Sequence, residues 1–241
     1  MLRGLYVAAE GMVARQRAQD AIANNLANLN TTGFKADRPA FETIYERQLA
    51  RVQGGQAQLI GTLSAGVVVR ELYTDFQAGA LTTTDNPLDL AIDGAGFFAI
   101  QTPQGVRYTR NGAFQLNAQG VLVTREGYPV LGTGNQPIQA PRNAAIRIGE
   151  NGAVFANGAP AGQLLIVQGN FLKDPDGYFT GAAQPLPNPR VAVGALEHSN
   201  VNMVREMVSM IELIRAYETN QRAILAHDET LGKAINELAK I

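Results

Sequence analysis

The chain has 241 residues, 46% of them hydrophobic, which is enough for one or two domains with a real core. A formal charge of −1 and a pI near 6.1 offer no basic footprint for nucleic acid, and no apolar run approaches the ~18 residues of a membrane span. Zero cysteines exclude disulfides, thiolate metal sites and thiol chemistry together, and two histidines alone make a poor metal set.

From Leu2 to Leu29 the chain reads as helix. Leu2, Leu5, Tyr6, Ala9, Met12, Val13, Ile22, Leu26 and Leu29 form an apolar side, and Arg3, Glu10, Arg15, Arg17 and Asp20 mark the other. Charges at 10, 15 and 17 fall where a secretory signal would need an apolar stretch, so no cleaved signal is expected. The helix stops in Asn28-Leu29-Asn30-Thr31-Thr32-Gly33, residues that favour caps and turns. Between Ala36 and Gly66, the stretch Phe41 to Val52 fits a short helix, broken by Gln53-Gly54-Gly55-Gln56.

From Val67 to Phe179 turn dipeptides punctuate the chain: Gln104-Gly105, Asn111-Gly112, Gln119-Gly120, Glu126-Gly127, Asn151-Gly152, Asn157-Gly158 and Asp176-Gly177. Short apolar or alternating stretches lie between them, including Leu90 to Ile92, Phe97 to Ile100, Val121 to Val123, Ile146 to Ile148 and Leu164 to Val167. Four turns recur seven or eight residues apart, which argues for an antiparallel meander in a small all-β domain, a partly open barrel or sandwich. Pro185, Pro187 and Pro189 stiffen the return path toward the C-terminus.

The last forty residues carry the strongest pattern. Met203, Met207, Met210, Ile214, Tyr217, Gln221, Ile224, Asp228, Leu231, Ile235 and Leu238 advance by alternating steps of four and three. That spacing keeps a narrow stripe facing a partner helix, and a helix from about 202 to 239 would be ~55 Å long. Gln221 and Asp228 interrupt the stripe, either to select register or because they face an axial, water-filled or wet space. The methionines at its start are adaptable packing material. The fold class expected is therefore α+β. Long N- and C-terminal helices pair as a coiled-coil-like inner domain (1–35 with 198–241), a connecting segment covers 36–81, and an all-β middle domain covers 82–197.

No catalytic constellation emerges. His198-Ser199 are chain neighbours without a third group, and Ser199 or Asn200 reads instead as the cap of the last helix. His227 with Asp228 and Glu229 reads as a solvated helix face. Gly94-Ala95-Gly96-Phe97 resembles half a dinucleotide fingerprint but no helical pattern follows it, and Asp89 and Asp93 read as exposed acids. No catalytic, cofactor-binding or metal-binding residue is assigned, and no cofactor is expected.

Asn24-Asn25-Leu26-Ala27-Asn28 followed by Thr31-Thr32-Gly33-Phe34-Lys35 resembles the N-terminal signature of bacterial flagellar rod and hook proteins. Ser199-Asn200-Val201-Asn202, Glu206-Met207-Val208 and Arg215-Ala216-Tyr217-Glu218-Thr219-Asn220 are similar to the matching C-terminal end. Leu90 to Phe98 and Tyr108-Thr109-Arg110-Asn111-Gly112 resemble the shared β-domain opening. The length fits the rod subunits better than the hook subunit. The resemblance implies a non-enzymatic structural subunit that polymerises helically into the hollow shaft around the export channel of the basal body. Copies of itself, other rod and hook subunits and the flagellar type III export apparatus would be its partners, with no nucleic acid and no membrane insertion. The assembly interface expected comprises Leu5, Met12, Ile22, Leu26 and the C-terminal stripe. Phe41 and Tyr45 match an aromatic-spaced export-gate motif, or equally one face of a short packed helix. The alternatives are a binding module of a phage-tail-like or adhesin assembly and a cell-wall hydrolase. The second lacks any paired acid and base at motif level.

Overall fold

The computed structural model describes the backbone of residues 2–43, 46–53, 56–64, 67–142 and 144–238, and the side chains of residues 7–40, 72–142 and 144–236. The chain divides into two compact units, one comprising 1–27, 37–73 and 202–241 and the other 28–36 and 74–201.

The first unit holds the two helices, α1 (Leu2–Ala27) and α2 (Met203–Leu238). The 36 residues of α2 span about 54 Å at the usual helical rise. The helices lie antiparallel: a Cβ placed on Gly11 of α1 would meet Asn220 of α2 at 2.8 Å, while Asn25 reaches Glu206 at 3.4 Å. Gly11 is thus a point of close approach, which offsets the propensity that glycine costs a helix. Asn202 caps α2, its side-chain oxygen accepting the Arg205 amide at 3.0 Å. The expected cap at Ser199 or Asn200 is displaced, because the Asn200 side chain is consumed by backbone groups of Ala36, Asp75 and Gln77.

The expected short helix at Phe41 to Val52 is replaced by strands, Asp37–Thr43 and Glu46–Gln53. The second of these pairs with Gln56–Ser64, Gln53 standing opposite Gln56, and Asp37–Thr43 pairs with Val67–Thr74. A Gly-Gly pair between two such runs is a hairpin signal, and cross-strand pairing overrides the weak helical preference of one segment.

The second unit is all β apart from its connections. Phe97–Thr102, Gly105–Thr109, Phe179–Pro185 and Ile166–Lys173 close into a four-stranded antiparallel ring, with Phe98 opposite Ile166 and Tyr108 opposite Phe179. A three-stranded sheet follows from Ile146–Ile148, Ala153–Ala156 and Ala159–Gln163. Its tight turn is Asn157-Gly158, with φ of 51° and 81°, the left-handed pair that a two-residue hairpin demands. The main core gathers Leu90, Phe98, Ile100, Leu122, Val130 and Leu164, all fully buried. A smaller aromatic cluster of Phe97, Phe171 and Phe179 adjoins Val167. Leu90–Ile92 pairs with Val191–Val193 and Leu81–Thr83 with Ala195–Glu197, so both ends of the domain's sequence are stitched into it.

Candidate assembly interface

In the helical unit the covered side of α1 is a row of small residues. Ala14, Ala18, Ala21, Ile22 and Asn25 are buried, at spacings of four, three, one and three. Of the residues expected at an assembly interface, Ile22 is buried and Met12 and Leu26 are half-buried. The side chains of Leu5 and Leu238 lie outside the described residues, as do Phe41's side chain and all of Tyr45. The alanine row carries a sequence signal, Ala at 14, 18 and 21, that a search for large apolar residues passes over.

Along α2 the half-buried positions include Met210, Leu213, Tyr217, Ile224, Leu231 and Ala234, with Glu206 buried at the start. Met203, Met207, Ile214, Gln221, Asp228 and Ile235 are exposed. The apolar stripe is therefore split: one narrow alanine-faced helix covers only one edge of it. Met203, Val204, Met207, Val208, Ile211 and Ile214 are left as a contiguous open face, Val204 at 71% exposure. A groove of about 490 Å³ lies beside the helix pair, with Ala14, Ile22, Leu213 and Ala216 on its walls and Arg205 and Glu212 among its charges.

Asn25 of the N-terminal motif binds both backbone groups of Asp37, accepting its amide at 2.9 Å and donating to its carbonyl at 2.8 Å. Its neighbours Asn24 and Ala27 are exposed and Asn28 is half-buried.

Lys35, Arg110 and Glu197 meet inside the β unit. Gly33, in a left-handed conformation at φ 68°, donates its amide to the Glu197 carbonyl at 2.7 Å and delivers Phe34 and Lys35 to the domain. Phe34 lies under the Lys173 ammonium, 3.8 Å from its ring centre. Lys35 Nζ donates to Glu197 Oε1 at 2.6 Å and to the Gln77 carbonyl at 2.7 Å. Arg110 Nη1 donates to Glu197 Oε2 at 3.0 Å and to the Ile92 carbonyl at 3.1 Å, while Nη2 binds the Gly94 carbonyl. The three side chains are 0%, 3% and 1% exposed. Burial holds both cations below their ordinary values, against the opposing pull of the Glu197 carboxylate. Glu197 has no local motif of its own, and only tertiary structure reveals it as the common partner.

The other chemistry-bearing residues serve the fold. Asp89 accepts from the Asn86 side chain at 3.1 Å, and the His198 amide donates to the Ala80 carbonyl at 2.8 Å. Gly94 and Gly96 take φ of 106° and 135° at the start of a strand, with no helix behind them. Tyr178 stands in a small polar cleft with Glu126 and Tyr128. Burial raises its phenol well above the ordinary value, and the Glu126 carboxylate and hydrogen bond add to the rise.

Three family descriptions match the chain in order: the flagella basal body rod protein at residues 5–35, the flagellar hook protein FlgE/F/G D1 domain at 91–156, and the flagellar basal body rod FlgEFG protein C-terminal at 192–237. The chain is 36% identical to the flagellar hook-basal body complex protein FlhO of Bacillus subtilis over the whole of both chains. It is 34% identical to the flagellar basal-body rod protein FlgF of Caulobacter vibrioides, again over 100% of each. With the flagellar basal-body rod protein FlgG of Borreliella burgdorferi it shares 35% identity over 98% of each chain. End-to-end similarity at this level, together with helical termini flanking a β-rich middle, shows that the chain belongs to the family of flagellar basal-body rod proteins.

Proposed function

We propose that this protein is a structural subunit of the flagellar basal-body rod that polymerises helically into a hollow shaft, contacting copies of itself and other rod and hook subunits. The carrying observation is the open apolar face of α2, from Met203 to Ile214, on a chain whose full-length relatives are named rod proteins. A contiguous exposed apolar patch of that kind favours a protein partner. Contacts that repeat head to tail without closing build a filament rather than a defined oligomer. In this reading α1 and α2 form a coiled-coil-like inner domain, residues 82–197 an outer β domain, and 36–81 the connection between subunits. The protein performs no catalysis. It reaches the basal body by signal-less type III export, with Phe41 and Tyr45 engaging the gate.

The test is sedimentation of the wild-type protein against the double variant Val208→Glu, Ile211→Glu. Wild type should form pelletable open filaments as concentration rises. The variant should keep its circular dichroism and stay in the supernatant. A wild type that stops at a small closed oligomer would sink the rod reading, and a variant that still pellets would remove this face from it.

A further inference from the structure

The ion cluster carries an inference beyond assembly. Residues 75–80 follow the strand Val67–Thr74 without regular structure, and their anchors are almost all polar. The Asp75 amide donates to the Ala36 carbonyl at 2.8 Å, and Asn200 Nδ2 donates to the carbonyls of Asp75 and Gln77 at 2.7 and 3.1 Å. Lys35 Nζ reaches the Gln77 carbonyl, the Gly79 amide donates to Glu197 Oε1 at 2.9 Å, and the His198 amide donates to the Ala80 carbonyl. The apolar anchor among the described residues is Phe76, itself 41% exposed, whose ring lies 5.7 Å from those of both Phe97 and Phe179.

We propose that residues 75–80 are a strap latched by Lys35 bridging Glu197 and Gln77, and that the strap opens as a unit while the β core stays folded, uncovering the Phe97–Phe171–Phe179 cluster.

The charge arrangement explains why this element opens first. Two buried cations share one carboxylate, and the Asp75 carboxylate opposes the excess charge. When the strap lifts, the Lys35 ammonium exchanges the Gln77 carbonyl for water, and Glu197 keeps Arg110, which stays tied to the Ile92 and Gly94 carbonyls. Opening thus hydrates the excess cation of a two-to-one cluster while the second pair stays intact. No comparable hydration is regained by opening the apolar core around Phe98 and Leu131, so the two regions separate into units of different stability.

The experiment is native-state hydrogen exchange on the full chain, wild type beside Lys35→Met. The Asp75 and Gly79 amides should exchange about a hundredfold faster in the variant, as loss of the charged hydrogen bond that holds the Gln77 carbonyl implies. The Ala99, Leu122 and Leu131 amides, bonded within the core, should keep their wild-type rates. Equal acceleration everywhere, or no acceleration at the strap, would overturn the latch. The wild type supplies an independent reading if the variant does not fold. There the strap amides should exchange through an opening that denaturant hardly affects, at denaturant levels where core amides remain protected. Exchange of the strap only through global unfolding would overturn the proposal equally.

Discussion

At Gly112 no side chain fits, because a Cβ there would come 1.7 Å from the Leu90 carbonyl oxygen. Both partners are backbone in the buried core, so neither can turn aside. Gly112→Ala should cost about 3 kcal/mol, read as a lowered urea midpoint at unchanged m-value; an unchanged midpoint would show that the strand can shift. The sequence marks Asn111-Gly112 as a turn needing positive φ, yet Gly112 is absent from the positive-φ glycines, and what it supplies is space. Tyr178 makes a second prediction at this scale. Its pKa in the folded protein is raised above the ordinary 10.0, so the neutral phenol is favoured by folding. That contribution is fully present below pH 10 and is lost as pH rises above it. Facing it are Glu126, Tyr128 and Asp176, and the acids among them deepen the loss. Thermal melts from about pH 9 to about pH 11 should therefore fall less steeply for Tyr178→Phe than for wild type. Parallel curves would mean that the phenol does not ionise at a cost to the fold.

Among the elements, the helix pair depends on how closely α1 can approach α2. Ala18 is fully buried in the alanine row, whereas Ala23 on the same helix is exposed. Ala18→Leu should force the helices apart and cost about 1–3 kcal/mol, while Ala23→Leu should change stability by less than about 0.5 kcal/mol. Denaturation followed by helical circular dichroism would separate the two, and equal effects would argue against tight apposition. The existence and length of α2 were legible because its four-and-three spacing persists without proline. Its covered edge was not legible: Glu206 is buried while Met207 beside it is open. Periodicity defines a stripe on a cylinder, but the width of the partner decides which edge of the stripe is covered. The stretch from Phe41 to Val52 misled for a related reason, since pairing with the strand Gln56–Ser64 outweighs local helical spacing.

For the whole molecule, the division into two units follows the composition, helical termini around a turn-rich middle, but not in simple blocks. Residues 28–36 belong to the β unit and 37–73 to the helical one. By itself the sequence determined the class of the fold, the two long helices, the β-rich middle and membership of the rod family, because these rest on local periodicity, turn chemistry and contiguous motifs. Only the tertiary structure decided that Lys35, Arg110 and Glu197 share one buried cluster, that Asn200 ties down a strap instead of capping a helix, and that one face of α2 stays open. Those outcomes join residues up to 162 positions apart, Lys35 to Glu197. A buried charge or an uncovered apolar face is defined by what lies across from it in space, which no local pattern encodes.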